Sequence, residues 1–178
     1  GLLGAEIDMR GKHGPTVLGT DNLMMAAVLA KGTTVIDSAA SEPEVVDLAA
    51  FLVKMGARIK GAGTRRIEIE GVEELKGVEH TIIPDRIEAG TFMVAGAMAG
   101  EGVTLRRVCR EHLEAATEKL EEAGHVVLFN ETGTEVALSR GETPRGSDIT
   151  TAPYPGFTNG MQAQKTDIFA TKPGISLV

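Results

Sequence analysis

Residues 84–90, PDRIEAG, place an arginine and two acids at the predicted start of a helix. A guanidinium matches phosphate oxygens with two parallel hydrogen bonds, so Arg86 is a candidate phosphate ligand. Asp85 and Glu88 have a simpler explanation, because acids in a first helical turn interact favourably with the helix macrodipole. The alternative is that Asp85 and Arg86 both face a binding cleft. The sequence leaves the two alternatives open.

The single cysteine and the four histidines do not form a recognisable reactive or metal-binding pattern. Cys109 cannot form a disulfide within the chain, so we expect a reducing, cytoplasmic location. We expect Cys109 to be a small buried residue, because no neighbouring His or Lys suggests an activated thiol. The histidines lack metal-ligand spacing, so we expect surface or hydrogen-bonded side chains at His13, His80, His112 and His125. We predict no metal and no cofactor.

Composition limits the classes of function. With 178 residues, 42% of them hydrophobic, the chain can bury a core. Its net charge of -7 argues against a nucleic-acid or anionic-membrane surface, although a local basic pocket remains possible. No run reaches the roughly 18 apolar residues of a membrane span. The chain does not begin with Met, so we expect a processed, trimmed or partial sequence.

Residues 5–72 predict one strand followed by a unit of the order helix, strand, helix, strand, strand. Val45, Leu48 and Leu52 form an apolar stripe at helical spacing, and Ile67 and Ile69 alternate with charged residues as in a half-buried strand. Thr20 or Asp21 is the expected N-cap of the first helix, and Ser41, with Pro43 in the first turn, that of the second. The predicted elements are strand 5–9, helix 22–30, strand 33–39, helix 41–56 and strands 57–61 and 65–72.

The same order recurs in residues 86–139. The strings beginning at Gly32 and Gly102 align with an offset of 70, and those beginning at Met55 and Ala123 with an offset of 68. Two copies of one supersecondary unit are therefore expected, and a strand at 149–152 would begin a third. The predicted fold class is α/β (α+β), with repeated βαβαββ-type units and an incomplete last unit. The second copy comprises helix 86–99, strand 102–108, helix 110–124 and strands 125–129 and 135–139.

Three strings carry a resemblance to a known family: ASEPEVVDLAAFLVKMGARIKGAGTRRIEIEGVEEL, IIPDRIEAGTFMVAGAMAGEGV, and TAPYPGF with MQAQ. From about Leu3 to Gln164 the chain resembles the UDP-N-acetylglucosamine 1-carboxyvinyltransferases, which are enolpyruvyl transferases. The resemblance implies the inverse α/β barrel, two domains of three βαβαββ units each. It also implies transfer of enolpyruvyl from phosphoenolpyruvate to the 3-hydroxyl of UDP-N-acetylglucosamine with release of phosphate. That reaction opens peptidoglycan synthesis and so serves cell wall biogenesis, cell shape and cell division.

The resemblance also implies where this chain lies within the family. Residues 1–78 would be the last unit of one domain, residues 79–140 the first unit of the other, and residues 141–178 a linker and the start of a further unit. The chain would be an internal fragment or a truncated form, inactive alone, because the family's reactive-cysteine loop is missing and Cys109 lies elsewhere. The alternative is a non-catalytic binding or regulatory remnant of the same fold. Self-association through the incomplete unit is possible in either case.

The resemblance implies three groups of candidate site residues. Thr16, Val17, Leu18 and Gly19 match the place where the family holds the nucleotide-sugar with backbone amides and small side chains; the alternative is a plain turn. Asp85 and Arg86 would face the cleft between the domains.

The third group lies in the loop 150–164. Gly160 stands where the family has an aspartate thought to act as the base, and glycine cannot take a proton. Asn159 could bind a hydroxyl but could not deprotonate it. The resemblance therefore implies an active-site loop that lacks its acid.

Overall fold

The computed structural model describes residues 1–12, 14–141, 150–164 and 166, and for Asn159 it describes the backbone. The chain divides into two compact units, Gly1–Ile83 and Pro84–Val178. The assignment of 1–78, 79–140 and 141–178 to particular parts of a larger protein stays a prediction.

In the first unit, two helices cover one face of a four-stranded sheet of order β1-β2-β4-β3. β1 runs parallel to β2, and the other pairs are antiparallel. Ile67 and Ile69 of β4 point into the core, as their alternation with charged residues predicts, and pack with Met24, Ile36 and Val45. The elements are β1 (Glu6–Asp8), α1 (Val17–Ala27), β2 (Thr33–Asp37), α2 (Pro43–Lys54), β3 (Arg58–Lys60) and β4 (Arg66–Glu70).

In the second unit, two helices pack on a three-stranded antiparallel sheet of order β5-β7-β6. Met93, Leu113, Leu120 and Val136 are fully buried between the helices and the sheet. The elements are α3 (Arg86–Ala99), β5 (Val103–Arg106), α4 (Arg110–Glu122), β6 (Val126–Phe129), β7 (Glu135–Ser139) and a 3-10 helix (Asn159–Met161).

The predicted repeat is confirmed. Both units have the order helix, strand, helix, strand, strand, and in both sheets the last strand lies between the two before it, as β2-β4-β3 and β5-β7-β6. The strand predicted at 149–152 is wrong for residues 150–152, which are irregular, and Ile149 lies outside the described residues. β-branched residues favour a strand, but a strand also needs a neighbour to pair with.

The predicted start of α1 is wrong by five residues. The helix begins at Val17, and Thr16 is its N-cap: the Gly19 N–H donates to Thr16 Oγ1 at 3.2 Å. Thr20 cannot cap, because it is buried inside the helix. Its hydroxyl donates to the Thr16 carbonyl at 2.8 Å and accepts from the Ala40 N–H at 3.0 Å. Tertiary contacts therefore draw a weakly helical segment into α1.

The predicted N-cap of α2, Ser41, is wrong by one residue. Glu42 occupies the N-cap position without a side-chain cap bond, and Pro43 follows as the first helical residue. Proline fits there because its missing N–H has no intrahelical acceptor in any case. Gly56 lies just beyond the C-cap residue Met55, with φ +111. Among the described residues, no helix combines the length and the apolar character that crossing a membrane would require.

Candidate functional site

The first candidate group forms the start of α1. Thr16 Oγ1 and the Thr16 carbonyl accept from the amides of Gly19 and Thr20 at 3.2 and 3.0 Å. Helix geometry leaves the amides of Val17 and Leu18 without an intrahelical acceptor. The helix macrodipole makes this end positive, and Leu18 is exposed. The segment is therefore a helical N-terminus with two outward amides, rather than a plain turn.

Gly19 has a packing role in the same turn. A Cβ at this position would lie 2.5 Å from Thr16 Cγ2 and 2.7 Å from Met9 Cε. Met9 follows β1 and packs against the core of the first unit. The absence of a side chain at Gly19 therefore lets the chain after β1 approach the first turn of α1 closely.

The second candidate group forms the start of α3. Asp85 is the N-cap, and its Oδ1 accepts from the amides of Ile87 and Glu88 at 2.8 and 3.1 Å. The simpler explanation of Asp85, stabilisation of a helix start, is thus visible in the structure. The Arg86 guanidinium carbon lies 5.4 Å from the centroid of the Tyr154 ring, a cation–π contact. This contact connects the first turn of α3 with the loop 150–164.

Met161 fixes that loop in a notch of α3. Its side chain is 2% exposed. A Cβ at Gly90 would lie 2.2 Å from Met161 Cε and 2.5 Å from its Sδ, so only glycine leaves room for this side chain in its present position. Phe157 is also buried, and its carbonyl accepts from the Ala152 N–H at 2.9 Å, which closes the loop on itself.

A short hydrogen-bond chain adds a second attachment. Gln164 Nε2 donates to Thr91 Oγ1 at 3.1 Å, and the Thr91 hydroxyl donates to the Ile87 carbonyl at 2.7 Å. The loop is therefore bound along the first two turns of α3. The sequence interpretation did not identify Gly90, Thr91 or Tyr154 as supports of the loop. One available signal was that Tyr154 is the only tyrosine in the chain.

Gly160 lies beside the first turn of α3 and is exposed. A Cβ there would lie 3.5 Å from Ile87 Cδ1 and 3.7 Å from Thr158 Oγ1, which are ordinary contacts. A side chain therefore fits, and a carboxylate would be stabilised by the positive end of the helix. The structure thus brings Gly160 to the helix start that carries Asp85 and Arg86. The Asn159 backbone belongs to the same 3-10 helix, and its side chain is outside the described residues.

Cys109 is half-buried rather than buried as expected, and it occupies the N-cap position of α4. Its Sγ donates to Glu111 Oε2 at 3.0 Å. Burial, and next the hydrogen bond to Glu111, raise the pKa of the Cys109 thiol. A raised pKa disfavours the thiolate, so this cysteine is not an activated nucleophile.

His80 belongs to the first unit, and His112 and His125 belong to the second. His80 Nε2 lies 2.9 Å from Asp47 Oδ1, His125 is buried, and His13 is outside the described residues. Within the described part of the chain, no group of three His, Cys, Asp or Glu residues could hold a metal ion. Asp21 is close enough to Glu44 and Glu42 for their charges to act on its carboxyl group. Burial raises the pKa of Asp21, and the negative charges of Glu44 and Glu42 raise it further.

Comparison with known proteins agrees with this architecture. The sequence model of the family described as EPSP synthase (3-phosphoshikimate 1-carboxyvinyltransferase) matches residues 2–176. The chain belongs to this family. The predicted α/β fold class is confirmed, and with it the enolpyruvyl transferase fold that the resemblance implies.

Curated relatives make the resemblance more specific. The chain is 69% identical over 178 residues to a UDP-N-acetylglucosamine 1-carboxyvinyltransferase of Akkermansia muciniphila, covering 100% of this chain and 42% of the relative. It is 52% identical over 164 residues to UDP-N-acetylglucosamine 1-carboxyvinyltransferase 1 of Caldanaerobacter subterraneus, covering 92% of this chain and 39% of the relative. The resemblance seen in the sequence is confirmed, and the chain spans about two fifths of the length of these relatives.

Solved structures support the same fold. The enolpyruvyl transferase NikO from Streptomyces tendae superposes with a TM-score of 0.77 at 25% identity, over 96% of this chain and 42% of that chain. An EPSP synthase from Acinetobacter baumannii gives a TM-score of 0.58 at 22% identity, over 84% of this chain and 34% of that chain. The second match supports the fold alone.

Proposed function

We propose that this chain is part of an enzyme that transfers enolpyruvyl from phosphoenolpyruvate to the 3-hydroxyl of UDP-N-acetylglucosamine and releases phosphate. The observation that carries the proposal is the 69% identity, over all 178 residues, to a relative named for this transfer. The chain covers 42% of that relative, so the activity is proposed for the longer protein. The longer protein would act in the cytoplasm, in peptidoglycan synthesis. It would therefore affect cell shape and cell division.

The start of α1 would bind the diphosphate of the nucleotide-sugar. The outward amides of Val17 and Leu18 are donors at the positive end of a helix, which is a common arrangement for anion binding. Thr16 holds the turn and Gly19 keeps it compact. Recognition through backbone amides would need no charged side chain, and residues 16–19 contain none.

The start of α3 and the loop 150–164 would bind phosphoenolpyruvate and the sugar hydroxyl that reacts with it. Arg86 would bind an anionic oxygen of phosphoenolpyruvate, since its guanidinium suits phosphate and carboxylate geometry. Asp85 would hold the helix start, and Asn159 would bind a sugar hydroxyl. The hydroxyl that attacks must lose its proton, and Gly160 has no group that can take it. Turnover by this chain alone is therefore not expected.

A non-catalytic binding or regulatory protein of the same fold is the second candidate, and the glycine at position 160 favours it. In that case the nucleotide-sugar would still bind at the start of α1. The predicted incomplete unit at 141–178 would supply a surface for self-association.

Binding by the isolated chain tests the substrate assignment. We expect ¹⁵N-labelled chain titrated with UDP-N-acetylglucosamine to show amide shifts at Val17, Leu18 and Gly19. Shikimate 3-phosphate, the acceptor implied by the other branch of the family, is the comparison ligand and should leave these amides unchanged. Shifts with shikimate 3-phosphate, or none with the nucleotide-sugar, would contradict the assignment.

The role of position 160 requires the rest of the fold. In a chimera, residues 1–178 replace the matching part of the Akkermansia relative, and phosphate release is measured with both substrates. We expect Gly160→Asp to raise turnover by about 100-fold or more, the usual scale of general base catalysis. Gly77→Asp is the matched control, because a Cβ at Gly77 meets nothing within 4 Å. Equal turnover with and without Gly160→Asp would favour the non-catalytic candidate.

A further inference from the structure

β6 is an edge strand without the usual protection. It lies at one end of the sheet order β5-β7-β6, as far as the described residues extend. Its sequence, VVLF, contains no charged residue, and Val126 and Leu128 are 47% and 64% exposed. Exposed edge strands normally carry charges or proline, or are covered by another segment. An apolar edge is thus a surface that a partner strand can use.

The register shows which backbone groups this edge offers. Leu128 is opposite Ala137 and Val126 is opposite Ser139, and the Asn130 N–H donates to the Glu135 carbonyl at 3.0 Å in the same register. Along an antiparallel ladder, hydrogen-bonded residue pairs alternate with pairs that are not hydrogen-bonded to each other. Val126, Leu128 and Asn130 therefore bond toward β7. The N–H and C=O groups of Val127 and Phe129 point away from the sheet, in position to bind another strand.

A groove of about 530 Å³ runs along this edge, between α4 and β6. Glu114, Glu118 and Glu121 follow one another at spacings of four and three residues, so they lie on one face of α4 and form an acidic wall. At one end, the Arg110 guanidinium carbon lies 5.3 Å from the centroid of the Phe129 ring. Val127, Leu128 and Phe129 of β6 form the opposite side of the groove.

We propose that this groove binds an extended, basic segment of a partner protein as an added strand on β6. Alternate side chains of an added strand point to opposite faces. Lys or Arg residues on one face would reach the acidic wall of α4. Apolar residues on the other face would lie beside Val126 and Leu128. The segment that fits therefore alternates basic and apolar residues.

Charge decides against a second copy of this chain as the occupant. Pairing of two β6 edges would bring no cation from Val126–Phe129 to the glutamates. It would also bring two acidic walls toward each other, and like charges across an interface are unfavourable. A basic partner segment satisfies both the backbone groups and the wall.

The test uses the whole 178-residue chain, ¹⁵N-labelled, and a capped peptide of four Lys-Val repeats. We expect amide shifts centred on Val127 and Phe129, and binding that weakens as salt rises. A peptide of four Glu-Val repeats should not bind. A Lys-Val peptide N-methylated at alternate residues should lose binding, because it keeps its charge but cannot pair as a strand. Equal binding of the methylated peptide would overturn the proposal.

Variants of the wall separate specific docking from general attraction. The triple change Glu114→Gln, Glu118→Gln, Glu121→Gln should weaken binding about tenfold, from three solvent-exposed charge contacts. The control is Glu73→Gln, Glu74→Gln, Glu79→Gln, which alters net charge equally at exposed positions of the first unit. Equal weakening by both triples would overturn the proposal. Concentration-dependent self-association of the peptide-free chain that shifts the β6 amides would overturn it as well.

Discussion

Thr16 and Asp85 each close the N-terminus of a helix, and both helix starts are candidate binding sites. Thr16 Oγ1 accepts one amide and Asp85 Oδ1 accepts two. Capping and binding are compatible at Thr16, since its helix still has two outward amides at Val17 and Leu18. At Asp85 the carboxylate oxygen that caps is engaged with the amides of its own helix. The first site thus offers donors, whereas the second relies on the side chain of Arg86.

Cys109 permits a prediction of pH dependence. Because burial and Glu111 raise its thiol pKa, the thiolate is scarcer at neutral pH than for an ordinary cysteine. Alkylation by iodoacetamide should therefore show a midpoint above the usual thiol range. Glu111→Gln removes a negative charge and should lower that midpoint and speed the reaction at pH 8, while burial keeps part of the shift. Glu101→Gln, an exposed change, should have no effect. Superimposable pH–rate profiles for the wild type and Glu111→Gln would refute the assignment.

At the scale of elements, local signals predicted α3 better than α1. The bounds of α3 were predicted because Asp85 caps its start and Gly100, with φ 82, ends it. The start of α1 was missed because Pro15, Thr16 and Gly19 are weak helix formers or breakers when read locally. Tertiary contacts determine where that helix begins, and one of them is the hydrogen bond from the Ala40 amide to the Thr20 hydroxyl. Such contacts cannot be read from residue spacing.

Gly71 follows β4 and packs against the turn between α1 and β2, which allows a prediction about stability. Its N–H donates to the Gly32 carbonyl at 3.0 Å, and a Cβ there would lie 1.6 Å from the Ala30 carbonyl oxygen. A backbone atom cannot move aside as a side chain can. We expect Gly71→Ala to lower the free energy of unfolding by about 2 kcal/mol or more.

Urea denaturation followed by circular dichroism measures this effect, with resolved amide signals of the first unit as a second probe. Gly77→Ala is the control, because a Cβ at Gly77 meets nothing within 4 Å. If Gly71→Ala and Gly77→Ala had the same midpoint, the close approach of Gly71 to Ala30 would not limit stability.

For the whole molecule, the sequence predicted the repeat and the family but not the supports of the candidate site. Residues 150–164 have no periodicity, so their contacts could not be inferred from a pattern. Only the structure shows Met161 against Gly90 and Gln164 against Thr91. The significance of Gly160 came from the resemblance alone, since a glycine in a loop has no chemistry of its own.

Residues 71–83 form the segment that ends the first unit. After β4 the chain is irregular, yet the Val72 N–H donates to Val28 O at 2.9 Å and the Lys76 N–H donates to Met55 O at 2.8 Å. His80 then completes the attachment to α2. Its Nε2 lies 2.9 Å from Asp47 Oδ1 and its Nδ1 lies 3.2 Å from Lys54 Nζ.

Because the Lys54 ammonium can only donate, His80 Nδ1 accepts and Nε2–H donates to Asp47. We expect His80→Ala to release residues 77–83 from α2 and to speed tryptic cleavage after Lys76 several-fold, since proteolysis follows local opening. Glu79→Ala, an exposed neighbour, is the control and should digest like the wild type. Fragment masses over a digestion time course give the rates. Unchanged cleavage after Lys76 in His80→Ala would mean that the bonds of Val72 and Lys76 suffice to hold this segment.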